Sequence, residues 1–213
     1  MLVKDCMTTN PVTINPDMPV AEALSFMRQH NVRRLPILNK KRKLVGIISE
    51  KDLLYASPSP ATSLSVYEVG YLLSKLKVEE IMAKDITTIT PDAPLEEAAR
   101  IMADGKVSGL PVMDGDRLVG IITETDVFKT ILEMMGARQT GVRLTLYLVD
   151  EPGALSRIAG SIAALGGDII ALGTFHQPDG GGAMMVKVCG VERDALVSAM
   201  EALNVKVVDV REN

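Results

Sequence analysis

The chain has few of the residues from which most catalytic and metal sites are built. It contains only two histidines and two cysteines in 213 residues, and these match no metal-binding or redox spacing: His30, His176, Cys6 and Cys189. A zinc site needs several such ligands, and a nucleophile activated by histidine needs a partner beside it. The composition therefore predicts no metal requirement and argues against an enzyme.

An excess of positive charge and a long apolar run are also missing. The 23 Lys and Arg stand against 27 Asp and Glu, which gives a net charge of −4. Binding nucleic acid by charge needs a basic surface, and crossing a membrane needs about 18 consecutive apolar residues. The first residues, 1–5, show no apolar core of a signal peptide. We therefore expect a soluble, cytoplasmic protein without a nucleic-acid or membrane partner.

The first two thirds of the chain contain an internal repeat. Three segments recur in the same order about 75 residues further on: Thr13–Pro19 as Thr88–Pro94, Val32–Pro36 as Val107–Pro111, and Leu44–Asp52 as Leu118–Asp126. Such self-similarity indicates two copies of one structural unit. The predicted boundaries are 1–56 and 78–137 for the copies, with a linker and connector helix over 57–77.

Each copy is predicted to have the element order β-α-β-β-α. Short apolar strands at 12–14 and 87–89 precede helices with apolar residues at helical spacing: Val20, Ala23, Leu24 and Met27, and Leu95, Ala98, Ala99 and Met102. The near-continuous apolar run 44–48 predicts a strand that is buried on both faces. A unit of about 55 residues buries its own sheet poorly, so we expect the two copies to pack sheet to sheet.

The last third of the chain, 143–213, has a different pattern. Strands are predicted at 143–149, 169–177, 183–188 and 206–210, and helices at 154–165 and 192–203. The order β-α-β-β-α-β is typical of a ferredoxin-like domain. The whole chain is therefore predicted to be α+β.

The repeated segment that ends in Asp carries the strongest candidate chemistry. In each copy a strand delivers a hydroxyl to a helix start, with a carboxylate three residues later: Ser49 and Asp52, and Thr123 and Asp126. A helix start favours an anion, and the carboxylate can accept hydrogen bonds from two ribose hydroxyls. The same spacing also fits a capping box in which the side chains only satisfy their own backbone. Both interpretations remain open at this point.

These motifs resemble two known families. The doubled Gly-x-x-Ser/Thr-x-x-Asp and Leu-Pro segments make 1–137 similar to a tandem pair of CBS domains. The segment from Asp150 to Leu155 makes 143–213 similar to an ACT domain. The order CBS–CBS–ACT is similar to that of bacterial acetoin-utilisation accessory proteins.

The CBS resemblance implies an adenine nucleotide, AMP, ADP or ATP, bound as a regulatory ligand between the copies. It carries the phosphate and ribose contacts onto Ser49, Asp52, Thr123 and Asp126. It also places main chain along the adenine edges in both copies: Thr13, Ile14, Val32 and Pro36, and Thr88, Ile89, Val107 and Pro111.

Charge distinguishes the two copies. Residues 1–56 hold nine basic and five acidic residues, a net of +4, whereas 78–137 hold five and twelve, a net of −7. Arg33 and Arg34 stand where the second copy has Ser108 and Gly109. Because guanidinium groups pair well with phosphate oxygens, we expect the first site to hold the more phosphorylated ligand.

The ACT resemblance implies a small-molecule sensor, usually for an amino acid. The candidate contacts are Asp150, Pro152, Gly153 and Ala154. ACT domains often have Asn where this chain has Asp150, and a carboxylate there repels the carboxylate of an amino acid. A purely dimerising role for this domain therefore stays open beside amino-acid binding.

We therefore expect a regulatory homodimer without catalytic residues, acting on an unidentified target protein. The alternative is a structural or dimerising adaptor that binds no small molecule.

Overall fold

The structure is a computed structural model that describes residues 1–56, 68, 71, 74–148, 151–176 and 182–212. Most of the predicted linker and connector helix at 57–77 lies outside the described residues, as do Asp150 and the loop 177–181. The chain divides into two compact units, Met1–Val127 and Phe128–Asn213, and the division falls within a helix.

Both repeats share the order α-α-β-β-α, and the first has one additional short strand after its first helix. The first contains α1 (Val3–Cys6), β1 (Thr8–Thr9), α2 (Val20–Gln29), β2 (Arg34–Leu38), β3 (Leu44–Ser49) and α3 (Glu50–Tyr55). The second contains α4 (Val78–Ile81), α5 (Leu95–Gly105), β4 (Gly109–Asp114), β5 (Arg117–Thr123) and α6 (Glu124–Met134).

The helices α2 and α5 form where the apolar spacing predicts them. Each begins after a proline in extended conformation, Pro19 or Pro94, whose missing N–H costs nothing at a helix start. In α2 the side chains of Val20, Ala23 and Met27 are buried, whereas Leu24 is half-buried at the edge of the stripe. The predicted apolar faces therefore do form the cores of the two repeats.

The strands β2 and β3, and likewise β4 and β5, form antiparallel hairpins. The strands predicted at 12–14 and 87–89 are reduced to single parallel bridges, Ile14 to Ile37 and Ile89 to Val112. Prolines two residues after each bridge have no N–H with which to extend the pairing. The expected burial of 44–48 on both faces is also incomplete, because Val45 and Ile47 are half-buried.

The first helix of each repeat packs into the core of the other repeat. Val3 is fully buried in the core of the second repeat, and its N–H donates to the carbonyl of Ala93 at 2.9 Å. Val78 is fully buried in the core of the first, and its N–H donates to the carbonyl of Met18 at 2.9 Å. Each repeat therefore completes its core with the first helix of the other repeat.

This exchange explains the glycine that opens each repeated motif. A methyl group at Gly46 would overlap the Sδ of Met82, and one at Gly120 would overlap the Sδ of Met7. Met82 follows α4 and Met7 follows α1, so both methionines belong to the exchanged segments. A glycine at each position lets the exchanged segment approach the strand closely.

The second unit contains the predicted ferredoxin-like fold. Its elements are β6 (Val142–Leu148), α7 (Ala154–Ala164), β7 (Asp168–His176), β8 (Gly182–Cys189), α8 (Arg193–Ala202) and β9 (Lys206–Glu212). The antiparallel sheet has the order β7-β8-β6-β9. Leu144, Ile158 and Val186 lie in its core, between the helices and one face of the sheet.

On the other face of this sheet, Lys187 is only 2% exposed. Its Nζ donates to the carbonyls of Gly136 and Gln139, at 3.0 and 2.5 Å. A buried ammonium group is tolerated where it finds such acceptors, so Lys187 fixes the segment that leads into β6.

Candidate functional site

The candidate site begins at the turn from β3 into α3. The carboxylate of Asp52 accepts from the backbone N–H of Ser49 at 2.8 Å and from its hydroxyl at 2.6 Å. The Asp52 N–H donates back to the Ser49 hydroxyl at 3.3 Å. The capping box that the sequence allowed is therefore present.

The turn from β5 into α6 repeats this arrangement. Asp126 accepts from the N–H of Thr123 at 2.9 Å and from its hydroxyl at 2.7 Å. The two motifs thus have the same local geometry, as their common sequence predicts.

Capping leaves part of the Asp52 carboxylate available. Both hydrogen bonds that it accepts end on Oδ2, and within the described ranges no contact engages Oδ1. Asp52 is half-buried and lines a cleft. Capping and ligand binding are therefore compatible roles for this side chain.

The cleft has a volume of about 620 Å³ and lies between the two repeats, within the first unit. The first repeat contributes Arg34, Ile47, Ile48, Ser49, Lys51, Asp52 and Tyr55, and the second contributes Ala83, Asp85, Ile86, Thr87, Lys106, Val107, Ser108 and Gly109. Its wall thus combines apolar side chains with three basic and two acidic ones.

Arg34 crosses from the first repeat to the second. Its Nε donates to the hydroxyl of Ser108 at 2.9 Å. A side chain at Gly109 would come within 2.9 Å of the Arg34 Cδ and within 3.3 Å of the carbonyl oxygen of Ile122. Positions 34 and 109 correspond in the repeat, so the glycine supplies the space that the arginine occupies.

The surroundings of Arg34 also affect its ionisation. Desolvation by burial lowers the pKa of the guanidinium, and the charge of Arg33 acts in the same direction. The carboxylates of Glu124 and Asp126 oppose this and favour the charged form. A partly desolvated guanidinium interacts more strongly with an anion than one in bulk water.

The cleft brings together four of the predicted residues, namely Arg34, Ser49, Asp52 and Val107. Ile14 and Ile89 are instead buried in the cores of the two repeats. The other predicted positions are not part of this lining: Thr13, Val32, Arg33, Pro36, Thr88, Pro111, Thr123 and Asp126. The carbonyls of Pro36 and Pro111 already accept from the N–H groups of Ile14 and Ile89.

Sequence reasoning missed several lining residues, above all Tyr55, Lys51 and Lys106. Tyr55 is 76% exposed and lies under the Lys51 ammonium group, with 5.4 Å between Nζ and the ring centroid. Its position three residues after Asp52 puts both on one face of α3, which the sequence could have indicated. Lys106 adopts a left-handed conformation after α5, and no sequence pattern marked it.

In the ACT region, Gly153 has a φ of +88° and precedes α7, with Pro152 and Ala154 on either side. A small cavity of about 140 Å³ lies beside this turn, lined by Tyr147, Glu151, Ala154, Arg157, Ile158, Leu203, Asn204, Val205 and Lys206. Arg157 forms an ion pair with Glu151.

Two features of other protein classes are not found in the part of the chain that the structure describes. It holds no cluster of three or more His, Cys, Asp or Glu side chains that could hold a metal ion. Nor does it hold a helix that is both long and apolar enough to cross a membrane.

Comparison with known families assigns both units. A CBS-domain model matches residues 3–59 and 78–133, and a model of the TTHA0829-like ACT domain matches residues 140–211. The chain therefore belongs to the proteins that combine a tandem pair of CBS domains with an ACT domain.

Among solved structures, the CBS pair is similar to AcuB of Vibrio cholerae, whose name refers to acetoin utilization. The identity is 32% and the TM-score 0.53, and the match covers 65% of this chain and 96% of that one. The CBS pair of protein MJ0100, in complex with 5′-methylthioadenosine and S-adenosylmethionine, is 31% identical with a TM-score of 0.53 over 65% and 98%. CBSX2 in complex with AMP is 31% identical with a TM-score of 0.51 over 62% and 96%.

Curated relatives include both small CBS proteins and enzymes. A CBS domain-containing protein of Dictyostelium discoideum is 33% identical over 63% of this chain and 94% of its own length. Inosine-5′-monophosphate dehydrogenase of Korarchaeum cryptofilum is 37% identical, but the match spans 55% of this chain and only 21% of the enzyme. The similarity to this enzyme is thus confined to its CBS part.

Proposed function

We propose that this protein is a regulatory sensor that binds an adenine nucleotide in the cleft of its CBS pair. The observation that carries the proposal is the Asp52 carboxylate, which lines the cleft with one oxygen used for capping and the other open. Arg34, Lys51 and Lys106 line the same cleft and match the charge of a phosphate.

In the proposed complex the ribose hydroxyls donate to Oδ1 of Asp52 while Oδ2 keeps its bonds to Ser49. The Ser49 hydroxyl already donates to Asp52 at 2.6 Å, so it is not free to donate to a phosphate. The phosphate contacts therefore pass to the basic side chains. This modifies the role that the sequence gave to Ser49 and keeps the one that it gave to Asp52.

The apolar part of the cleft suits a purine ring. Ile47, Ile86 and Val107 offer aliphatic contacts, and the exposed ring of Tyr55 offers a flat face at one side. Aromatic stacking on a base contributes about 1–3 kcal/mol. Related structures support this choice, since CBSX2 binds AMP and the MJ0100 CBS pair binds two adenosine-containing molecules.

Calorimetric titration of the full chain with AMP, ADP, ATP, S-adenosylmethionine and 5′-methylthioadenosine tests the proposal. Asp52→Asn keeps one oxygen for the cap but replaces the charged oxygen that would accept from ribose with an NH2 group. We expect at least about a tenfold loss of affinity. Asp5→Asn is the matched control, because Asp5 accepts from the Leu2 N–H at 2.8 Å in an equivalent cap and does not line this cleft.

Two results would contradict the proposal. If none of these ligands binds the parent protein, the adaptor without a small-molecule ligand is favoured. If Asp52→Asn and Asp5→Asn bind equally well, Asp52 acts only as a cap.

The finer predictions belong to the same proposal. Lys51 lines the cleft beside Ser49 and Asp52 in addition to Arg34, which supports a preference of this first site for the more phosphorylated ligand. Thr123 and Asp126 would form a second site at the equivalent turn. The homodimer stays a proposal. So do the remaining predicted nucleotide contacts, which are Thr13, Ile14, Val32, Arg33, Pro36, Thr88, Ile89 and Pro111.

We propose a small acidic ligand for the ACT domain on a separate observation. Arg157 and Lys206 both line the cavity of about 140 Å³ beside Gly153, and Glu151 is the partner of Arg157. A carboxylate that displaces Glu151 could bind these two cations. Titration with acidic amino acids should give binding that Arg157→Gln removes; no binding by the parent would favour a purely dimerising role.

A further inference from the structure

One arginine lies between the two capped turns of the CBS pair. In the β2–β3 hairpin Arg34 is the register partner of Ser49, and in the β4–β5 hairpin Gly109 is the partner of Thr123. Because the Arg34 side chain lies over Gly109, the four residues form a row that runs from one turn to the other.

Only one side chain spans this row. Gly109 has none, and the space that a side chain would need there is taken by the Arg34 Cδ and Nε, at 2.9 and 3.2 Å from the position of a Cβ. The guanidinium of Arg34 is held by a hydrogen bond to the Ser108 hydroxyl, a neutral partner that a phosphate can replace. Gly109, over which it lies, is the register partner of Thr123 in the second turn, and the charges of Glu124 and Asp126 favour its charged form.

We infer that Arg34 serves the phosphate of either site, one at a time, so that the two sites compete for a single guanidinium. This inference rests on the proposed nucleotide binding and adds a coupling between its two sites. A phosphorylated ligand at one turn draws Arg34 away from the other, which lowers the affinity there. Adenosine, which lacks the phosphate, should bind without this competition.

The test measures each site in isolation. Asp52→Asn weakens the first site and Asp126→Asn weakens the second, and both retain a capping acceptor. In each background, Arg34→Gln should lower the affinity for AMP about tenfold and leave the affinity for adenosine within about twofold. Lys41→Gln removes a positive charge at the exposed far end of the same hairpin and should change neither affinity.

A second variant checks that the AMP affinity depends on the position of the Arg34 side chain and not only on its charge. Gly109→Ala keeps Arg34 but puts a methyl group into the space that the Arg34 side chain occupies. We expect the same selective loss of AMP affinity at both sites. Thermal unfolding without ligand identifies a variant that has simply lost its fold, and the adenosine affinity provides a second check on an intact cleft.

The outcomes are distinct. If Arg34→Gln affects AMP in only one background, Arg34 belongs to that site alone and the inference is wrong, although nucleotide binding stands. A parent stoichiometry of one AMP per chain also overturns it. If the parent binds neither AMP nor adenosine, the proposed function itself fails.

Competition also predicts how AMP binds stepwise to the two sites of the parent protein. The product of its two stepwise AMP association constants should be smaller, by about fivefold or more, than the product of the two single-site constants. For adenosine, the product of the stepwise constants should equal the product of the single-site constants. Agreement for AMP as well would show that the sites are independent and would overturn the inference.

Discussion

The two CBS repeats have nearly the same core but contribute different residues to the cleft between them. Leu35 and Leu110 are both fully buried at equivalent positions, and so are Ile48 and Ile122. At the cleft, by contrast, Arg34 corresponds to Gly109, and Arg33 to Ser108. The comparison teaches that the repeated core residues maintain the fold, whereas the unlike residues change what each half contributes to the cleft.

The largest expected effect tests the common core. Leu35→Ala and Leu110→Ala each remove a fully buried side chain, and each should lower the free energy of unfolding by about 2–5 kcal/mol. Because the exchanged segments link the two cores, we expect one cooperative transition in urea for both variants. Two separate transitions would show that the repeats fold independently and would break the comparison.

A smaller effect should separate the two motif glycines. Gly46→Ala and Gly120→Ala both force a methionine aside, at a cost of about 1–3 kcal/mol. Gly120→Ala should cost more, because its methyl group would also lie 3.1 Å from the backbone oxygen of Thr8, which cannot move as a side chain can. Urea denaturation measures the difference, and an equal or reversed order would contradict this account of the exchanged segments.

The smallest effect concerns the capping hydroxyls. Ser49→Ala and Thr123→Ala each remove one cap, and each should destabilise the protein by about 1 kcal/mol. The affinity of Ser49→Ala for AMP should remain within about threefold of the parent, because the hydroxyl is already bonded to Asp52. A tenfold loss of affinity without loss of stability would show that Ser49 contacts the ligand itself.

Local patterns in the sequence predicted the elements of the fold well. Helical spacing identified α2 and α5, and the strand and helix order of the ACT domain was correct to within a few residues. The repeat also located the two turns with Asp52 and Asp126. These features depend on neighbours in the chain, which periodicity and capping patterns report directly.

Long-range packing could not be predicted in the same way. Nothing in the sequence near Val3 or Val78 indicates that each enters the core of the other repeat. The crossing of Arg34 over Gly109 likewise depends on how two hairpins meet. The sequence showed that these positions differ, but not that one side chain occupies the space left by the other.

A crystal structure of the full chain with AMP tests the central claim most directly. The account predicts density in the cleft between the repeats, with the ribose hydroxyls within about 3 Å of Asp52 Oδ1 and the Oδ2 bonds to Ser49 unchanged. AMP bound away from both Asp52 and Asp126, or a cleft that stays empty at concentrations where calorimetry reports binding, would contradict it.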